Sequence, residues 1–464
     1  MKRRIWIVVL VLCAAWAALY WHVTAQGRAQ AARDAASVSA EQYPIHKVMP
    51  SGAVHLYQHH QGVYVYGGDL VVRGGEVLGK PQAALPASTK PQVRLGGRLI
   101  VYEGQLAYWQ EAAEHILIMD ATTGHLLASW SNVQDMGWDV TEIYVSWNCR
   151  ILPGQLAISK AGETPLADDV ARLAYTNTVR AFDFYAGLGQ NSWDSFGRPA
   201  VSTVHSGVDV LFTCSHNNAA FVPYRLQVVY GDGDGETFGP FGNALDVVGH
   251  EWMHAIIYTT VTWPEGGWRG LDYRQESGAL NESYADLFGH TIEGREDWRM
   301  GEDVFLEPGH AVRDMSDPPL YEQPDHYENY STEGSNSWQV HYNSGIANKA
   351  AYLMAEGGEH YGITVRGMGL MPTVHVWLHA LRNYLTPTST FYDARVAMEW
   401  AALDLGYPVS TVSNAWYAVG VGPAGVPEPE PTPTPTPQVT PSPTPIDRYP
   451  PICFFPVIKV QRKR

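Results

Sequence analysis

The chain has 464 residues, 45% of them hydrophobic and 17% charged, with a formal net charge of −16 at pH 7. That length and apolar content can bury two or three cores, so more than one domain is expected. No Lys/Arg-rich face is apparent that would neutralise phosphates, which argues against a nucleic-acid partner.

At the N-terminus, Met1-Lys2-Arg3-Arg4 is basic, residues 5–21 are apolar, and Val23-Thr24-Ala25 ends in small residues. Residues 1–25 therefore read as a secretory signal, which points to an extracellular protein. The apolar run sits at the lower edge of what can span a bilayer, so an uncleaved membrane anchor is the competing reading. Of the four cysteines, Cys149 and Cys214 fall in the middle of the chain. Export would place them in an oxidising compartment, where a disulfide between them and two buried thiols are both open readings.

Residues 45–133 alternate apolar and polar over short runs, at 55–58, 63–66, 69–72 and 98–102, with Gly-Gly turns between them. This is the pattern of a small antiparallel β domain. Residues 168–186 carry Ala, Val, Leu and aromatics at helical spacing behind Asp168-Asp169, whose acidic side chains suit a helix N-terminus. Strand-like stretches follow at 201–204 and 227–229, and then helical patterns at 244–259, 278–292, 341–357, 369–385 and 391–404. The class is α+β, a mixed β/α part followed by a mainly α-helical one. Residues 423–448 are rich in Pro and Thr and read as an extended linker. The tail at 449–464 ends in Arg462-Lys463-Arg464 and is too short to span a membrane. It reads as a surface-attachment tag or as a disordered end, so membrane contact is confined to the signal or this tail.

The helical stretch at 244–259 carries His250-Glu251-Trp252-Met253-His254. Histidines four apart share a helix face and can reach one Zn2+, leaving Glu251 beside the open position as a general base. Glu282 follows His254 by 28 positions (282 − 254) and supplies a third ligand. Asp286, one turn later, can accept the free ring N–H of a liganding histidine. Three protein ligands leave a position for water, which separates a catalytic zinc from a closed structural one.

Several collinear segments resemble the thermolysin family of neutral metalloproteases. They are Asn281-Glu282-Ser283-Tyr284-Ala285-Asp286, Val340-His341-Tyr342-Asn343-Ser344-Gly345, Tyr230-Gly231-Asp232-Gly233-Asp234-Gly235 and Arg313-Asp314-Met315-Ser316-Asp317-Pro318. The runs at 59–70 and 116–127 are similar to the propeptide of such proteases. The resemblance implies a small antiparallel β propeptide over 26–135, then a two-lobed catalytic domain. Its mixed β/α N-lobe would span 136–248 and its helical C-lobe 249–422, with the zinc helix at the junction. It implies a secreted zinc endopeptidase made as a zymogen, with protein or peptide substrates and its own propeptide as partner. A catalytically silent surface-binding homologue that kept the fold is the alternative.

The same resemblance assigns His341 and Tyr273 as donors to the oxyanion and Arg313 as the holder of a substrate carbonyl. Asn218 and Ala219 would bind substrate backbone, although their spacing to Tyr230 is two residues longer than the family pattern. Phe238, Phe241, Val247, Met300 and Val312 would line an apolar pocket for the residue after the scissile bond, favouring bulky hydrophobic side chains. Asp246, Glu293, Asp297 and Glu302 match positions for a buried Ca2+, with Arg299 where an acidic residue is expected.

Two departures stand out. Asn336 stands where the family places an Asp that steadies the catalytic histidine, and an amide orients without adding charge. The interval from His254 to Glu282 is also longer than usual, with the extra residues falling in 259–270, a stretch that bears Trp263 and Trp268. This inserted loop either tunes access to the cleft or is a surface excursion.

Overall fold

The computed structural model describes residues 25–424 apart from 50, 62, 83–97, 103–104, 113–114, 132–141, 148–150, 160–162, 191, 195–197, 211–212 and 264–268. The signal-like run at 1–24, nearly all of the linker, the tail and Cys149 lie outside the described residues. Cys214 is disulfide-bonded.

The N-terminal β region begins with helix α1 at residues 25–35. Among the described residues, the strands that follow are β1 (Ile45–Val48), β2 (Val54–Tyr57), β3 (His59–His60), β4 (Val63–Val65), β5 (Leu70–Arg73), β6 (Glu76–Leu78), β7 (Arg98–Tyr102), β8 (Gln105–Ala112), β9 (His115–Asp120) and β10 (Leu126–Ser131). They form two sheets, in the orders β1-β2-β5-β6 and β10-β9-β8-β7-β4-β3. The pairings are antiparallel except between β4 and β7, which run parallel with Tyr64 opposite Ile100. A parallel pair needs a long crossover, and the chain between β4 and β7 supplies it.

The next part is a five-stranded sheet in the order β12-β11-β13-β17-β16. It is built from β11 (Glu142–Val145), β12 (Gln155–Ile158), β13 (Val201–Val204), β16 (Ala219–Val222) and β17 (Gln227–Tyr230), with the hairpin β14 (Val208–Val210) and β15 (Thr213–Ser215) beside it. Helix α2 (Asp169–Gly187) is capped by Asp168, whose carboxylate accepts from Ala171 N at 2.7 Å. His205 clamps this cap to the loop after β17, with Nε2 2.9 Å from Asp168 and Nδ1 2.7 Å from Asp232. Burial pulls the His205 pKa down, but the two carboxylates outweigh it and the net shift is upward.

The remainder is mainly helical: α3 (Leu245–Thr260), α4 (Gln275–Glu293), α5 (Asn336–Glu356), α6 (Leu370–Asn383), α7 (Phe391–Leu405) and α8 (Val409–Ala418). Short ladders β18 (Arg299–Met300) with β19 (Arg313–Asp314), and β20 (Gly357–His360) with β21 (Ile363–Arg366), lie between them. Fully buried Trp252 on α3 packs on Phe182 and Tyr185 of α2, at ring separations of 5.3 and 5.5 Å. Tyr185 also stacks on Phe288 of α4 at 5.8 Å, so three helices share one aromatic core.

Glycine sets how closely α3 and α4 approach. A Cβ on Gly289 would lie 2.5 Å from Asp246 O and 2.9 Å from His250 N, and one on Gly249 would lie 3.1 Å from the Gly289 Cα. Any larger residue at 289 would force the helices apart.

Candidate metal centre

His250 and His254 project from one face of α3, with ring centroids 5.0 Å apart. Glu282 comes from α4, and one ligand atom from each of the three residues lies within 4.8 Å of the other two. His254 Nε2 is 3.2 Å and His250 Nε2 is 3.6 Å from the Glu282 carboxylate. All three side chains are buried, and His254 Nε2 and Glu282 Oε2 find no hydrogen-bond partner among the described residues. Buried donors and acceptors without hydrogen bonds are costly, and a cation between them would satisfy both. Two imidazoles and one carboxylate match the donor set of a catalytic zinc.

The ligands are held from behind. His250 Nδ1 lies 2.8 Å from Asp286, which accepts from Asn348 Nδ2 at 2.8 Å and from Arg313 Nη1 at 3.0 Å. His254 Nδ1 is bonded to the Asn281 side-chain oxygen. No local pattern marks Asn348 as a support, whereas Asn281 stands immediately before Glu282 in the sequence. Burial lowers the His250 pKa against the upward pull of Asp286, favouring the neutral form a metal requires. Burial alone would raise the Glu282 carboxyl, but His341, His254 and His250 hold it well below the usual carboxylate range.

Glu251, between the histidines, is 3% exposed. Tyr273 Oη donates to Glu282 and lies 3.4 Å from His341 Nε2, so the two expected oxyanion donors converge beside the metal ligands. His341 Nδ1 is 2.6 Å from the Ser337 carbonyl, a backbone partner within its own helix. Asn336 occupies the first turn of that helix behind the Ser335 cap.

Arg313, on β19, lies 3.7 Å from Glu282 as well as on Asp286. Ala219 stands opposite Tyr230 on the edge strand β16, despite the longer spacing in sequence, and Asn218 O accepts from Gly231 N at 2.9 Å. Phe238 and Phe241 lie 5.9 Å apart, and Phe305, not foreseen from sequence, lies 4.8 Å from Phe238. Val247 is half-buried on α3 one turn before Glu251. Val312 N donates to buried Met300 O at 2.7 Å, while the Val312 side chain remains 42% exposed.

A second carboxylate group joins Asp246, Glu293 and Glu302, also within 4.8 Å of one another. Asp297 is not in that group, although its charge helps raise the Glu302 pKa. Burial is the main cause that pushes Asp246 up to about 6 and Glu293 up to about 8, with neighbouring carboxylates adding to it. Arg295 lies 3.4 Å from Glu293 and 3.2 Å from Glu302.

Together, the helical pair and the three ligands define a candidate metal centre of two histidines and one glutamate. Residues 155–258 match the family model of the thermolysin metallopeptidase catalytic domain, and residues 269–421 match that of its alpha-helical domain. The chain belongs to the thermolysin metallopeptidase family.

It is 41% identical over 287 residues to a bacillolysin of Brevibacillus brevis, covering 60% of this chain and 51% of the relative. It is 40% identical over 290 residues to a thermolysin of Alicyclobacillus acidocaldarius, covering 60% and 50%. The chain thus spans about half the length of the curated relatives it matches. Among solved structures it is similar to the precursor of protealysin, a metalloproteinase from Serratia proteamaculans. That match has a TM-score of 0.50 and 29% identity, and covers 62% of this chain and 90% of the other.

The contact between Asp286 and His250 gives a direct expectation. Asp286→Asn should weaken zinc binding roughly 10- to 100-fold in a competition titration against a chromogenic chelator. Unchanged affinity would mean that Asp286 does not orient the ligand.

Proposed function

We propose that this chain is a secreted zinc endopeptidase, made with a precursor segment over 26–135, that cleaves before bulky hydrophobic residues. The observation that carries the reading is the buried His250, His254 and Glu282 triad with Glu251 between its histidines and Tyr273 and His341 beside it. Zinc held by the triad would supply a Lewis acid that polarises the scissile carbonyl and acidifies water.

Glu251 takes the proton from the attacking water and delivers it to the leaving amine as the C–N bond breaks. Tyr273 and His341 donate to the oxygen on which charge develops, and donors fixed before the reaction need little rearrangement. Arg313 holds the neighbouring carbonyl, and the edge strand β16 accepts the substrate backbone as a further strand. Phe238, Phe241, Val247, Met300 and Val312 give the pocket after the scissile bond an apolar lining. A silent binding module remains the alternative, but nothing in its function would keep an acidic Glu251 buried beside two histidines.

Peptides with Leu or Phe after the scissile bond should be cleaved with kcat/KM at least ~100-fold above peptides with Asp there, since the pocket offers an acid no partner. Chelation should abolish the cleavage and added zinc restore it. Equal rates for both peptides, or activity that survives chelation, would sink the reading.

We also propose that Asp246, Glu293 and Glu302 bind one Ca2+, for which hard oxygen donors are suited. In the ion-free protein Asp246 and Glu293 have folded-state pKa values above their unfolded ones, so ionising them opposes folding. Stability without calcium should therefore fall as pH rises from about 4 through about 8. The rise in Tm on adding calcium should be larger at pH 8.5 than at pH 5. A calcium effect equal at the two pH values would argue against this site.

A further inference from the structure

His205 sits just beyond β13 with its backbone at φ 58°, a left-handed conformation that residues with a Cβ rarely adopt. Its side chain is 9% exposed, and both ring nitrogens face carboxylates, Nε2 that of Asp168 and Nδ1 that of Asp232. Trp147, just after β11, covers one face of the ring at a centroid separation of 4.3 Å and an interplanar angle of 17°. Among the described residues Asp168 and Asp232 are the charged groups that act on the ring, since neighbouring Asp169 pairs outward with Arg172. An ionised carboxylate only accepts, so a neutral imidazole, with one N–H, can satisfy one of the two. The imidazolium satisfies both.

Asp232 lies in a stretch of chain with little slack. Gly231 N donates to Asn218 O, Gly231 O accepts from Phe241 N, and Gly233 N donates to His216 O, each at 2.9 Å. A Cβ on Gly231 would run into His216 O, and one on Gly233 into Phe238 O. The stretch is thus wedged between the start of the edge strand β16 and the pair Phe238 and Phe241. Those are the two features proposed to hold the substrate backbone and the side chain after the scissile bond. The His205 bridge ties this stretch, through Asp168, to the first turn of α2.

We propose that His205, as the imidazolium, is a positioning residue for substrate: it fastens the 231–233 stretch to the cap of α2 and so fixes β16 relative to the apolar pocket. The two carboxylates extend the charged form to higher pH than an ordinary histidine keeps it. When the ring loses its proton, a bare nitrogen faces an ionised carboxylate, one hydrogen bond is replaced by lone-pair repulsion, and the stretch loses its tie. The bridge is therefore complete below the shifted pKa and is lost as pH rises through it. Because His205 touches neither the metal ligands nor Glu251, the loss falls on substrate binding, in KM, and leaves the chemical step.

The inference rests on the peptidase reading, so its test pairs a readout without catalysis with one that needs it. The first is hydrogen exchange at Gly231, Gly233 and Phe241 in the full chain, from about pH 6 to about pH 9, corrected for the intrinsic rate. Protection should fall roughly 10-fold as the ring titrates, the scale of one charge-assisted hydrogen bond. The titration itself is followed by NMR of the His205 Cε1 proton, assigned by its loss in His205→Asn, a residue that tolerates the left-handed backbone. Asp232→Asn supplies an N–H to the bare nitrogen of a neutral ring, so protection should stay high and flat with pH. Asp232→Ala should make it low and flat. In the processed, zinc-loaded enzyme, KM for a peptide with Leu after the scissile bond should rise with pH in the parent and not in Asp232→Asn. The two should differ in kcat by less than about 2-fold at each pH. Protection in the parent that ignores pH, or an Asp232→Asn protein whose protection or KM titrates like the parent, would overturn the proposal. Protection that titrates as expected in a protein that cleaves no peptide would instead contradict the peptidase reading, which keeps the two failures apart.

Discussion

The close approach of α3 and α4 at Gly249 and Gly289 is the constraint on which the centre depends. Ligands on two helices can meet at one ion only if the helix axes are close, because a glutamate side chain has limited reach. The missing Cβ at residue 289 lets the α4 backbone lie against Asp246 O and His250 N, and the shared aromatic core of Tyr185, Trp252 and Phe288 holds it there. The same approach serves the second carboxylate group, since Asp246 opens α3 and Glu293 ends α4.

Burial has opposite consequences at the two groups. At the metal centre it is opposed by the groups packed on the carboxyls: the imidazoles of His341, His254 and His250 around Glu282, and Arg313 with the His250 ring against Asp286. Those carboxyls therefore stay ionised in the interior, and a network of this kind is stable only when its hydrogen bonds are nearly complete. At Asp246, Glu293 and Glu302 the cation paired with them among the described residues is the partly exposed Arg295, which does not offset burial and mutual repulsion, so Asp246 and Glu293 rise toward neutrality. The difference between the two sites lies in the cations around them, since carboxylates are present at both.

Much of this was legible in the sequence where the information is local. Ligand spacing of four placed His250 and His254 on one helix face, and Asp168 marked the start of α2 within a residue. The helix boundaries near 244–259 and 391–404 held to within about a residue, because apolar periodicity and caps are short-range signals. What was not legible depends on distant partners. Asn348 supports Asp286 from another helix, and Phe305 joins Phe238 across an isolated bridge. The start of α5 lies five residues earlier than the periodicity implied, because the Ser335 cap precedes a polar turn with no apolar stripe. Helix α8 was missed because it is short and follows Pro408 directly. Trp263 packs on Trp109, more than 150 positions upstream, and no local pattern names that partner.

The central claim is that Glu251 performs proton transfer beside a metal held by the other three residues. The most direct measurement is peptide hydrolysis by Glu251→Gln processed to the same length as the wild type, with zinc content determined on the same sample. The account predicts about one zinc per chain in both proteins and a turnover lowered by roughly 100-fold or more in the variant. Full turnover in a zinc-loaded Glu251→Gln protein would contradict it.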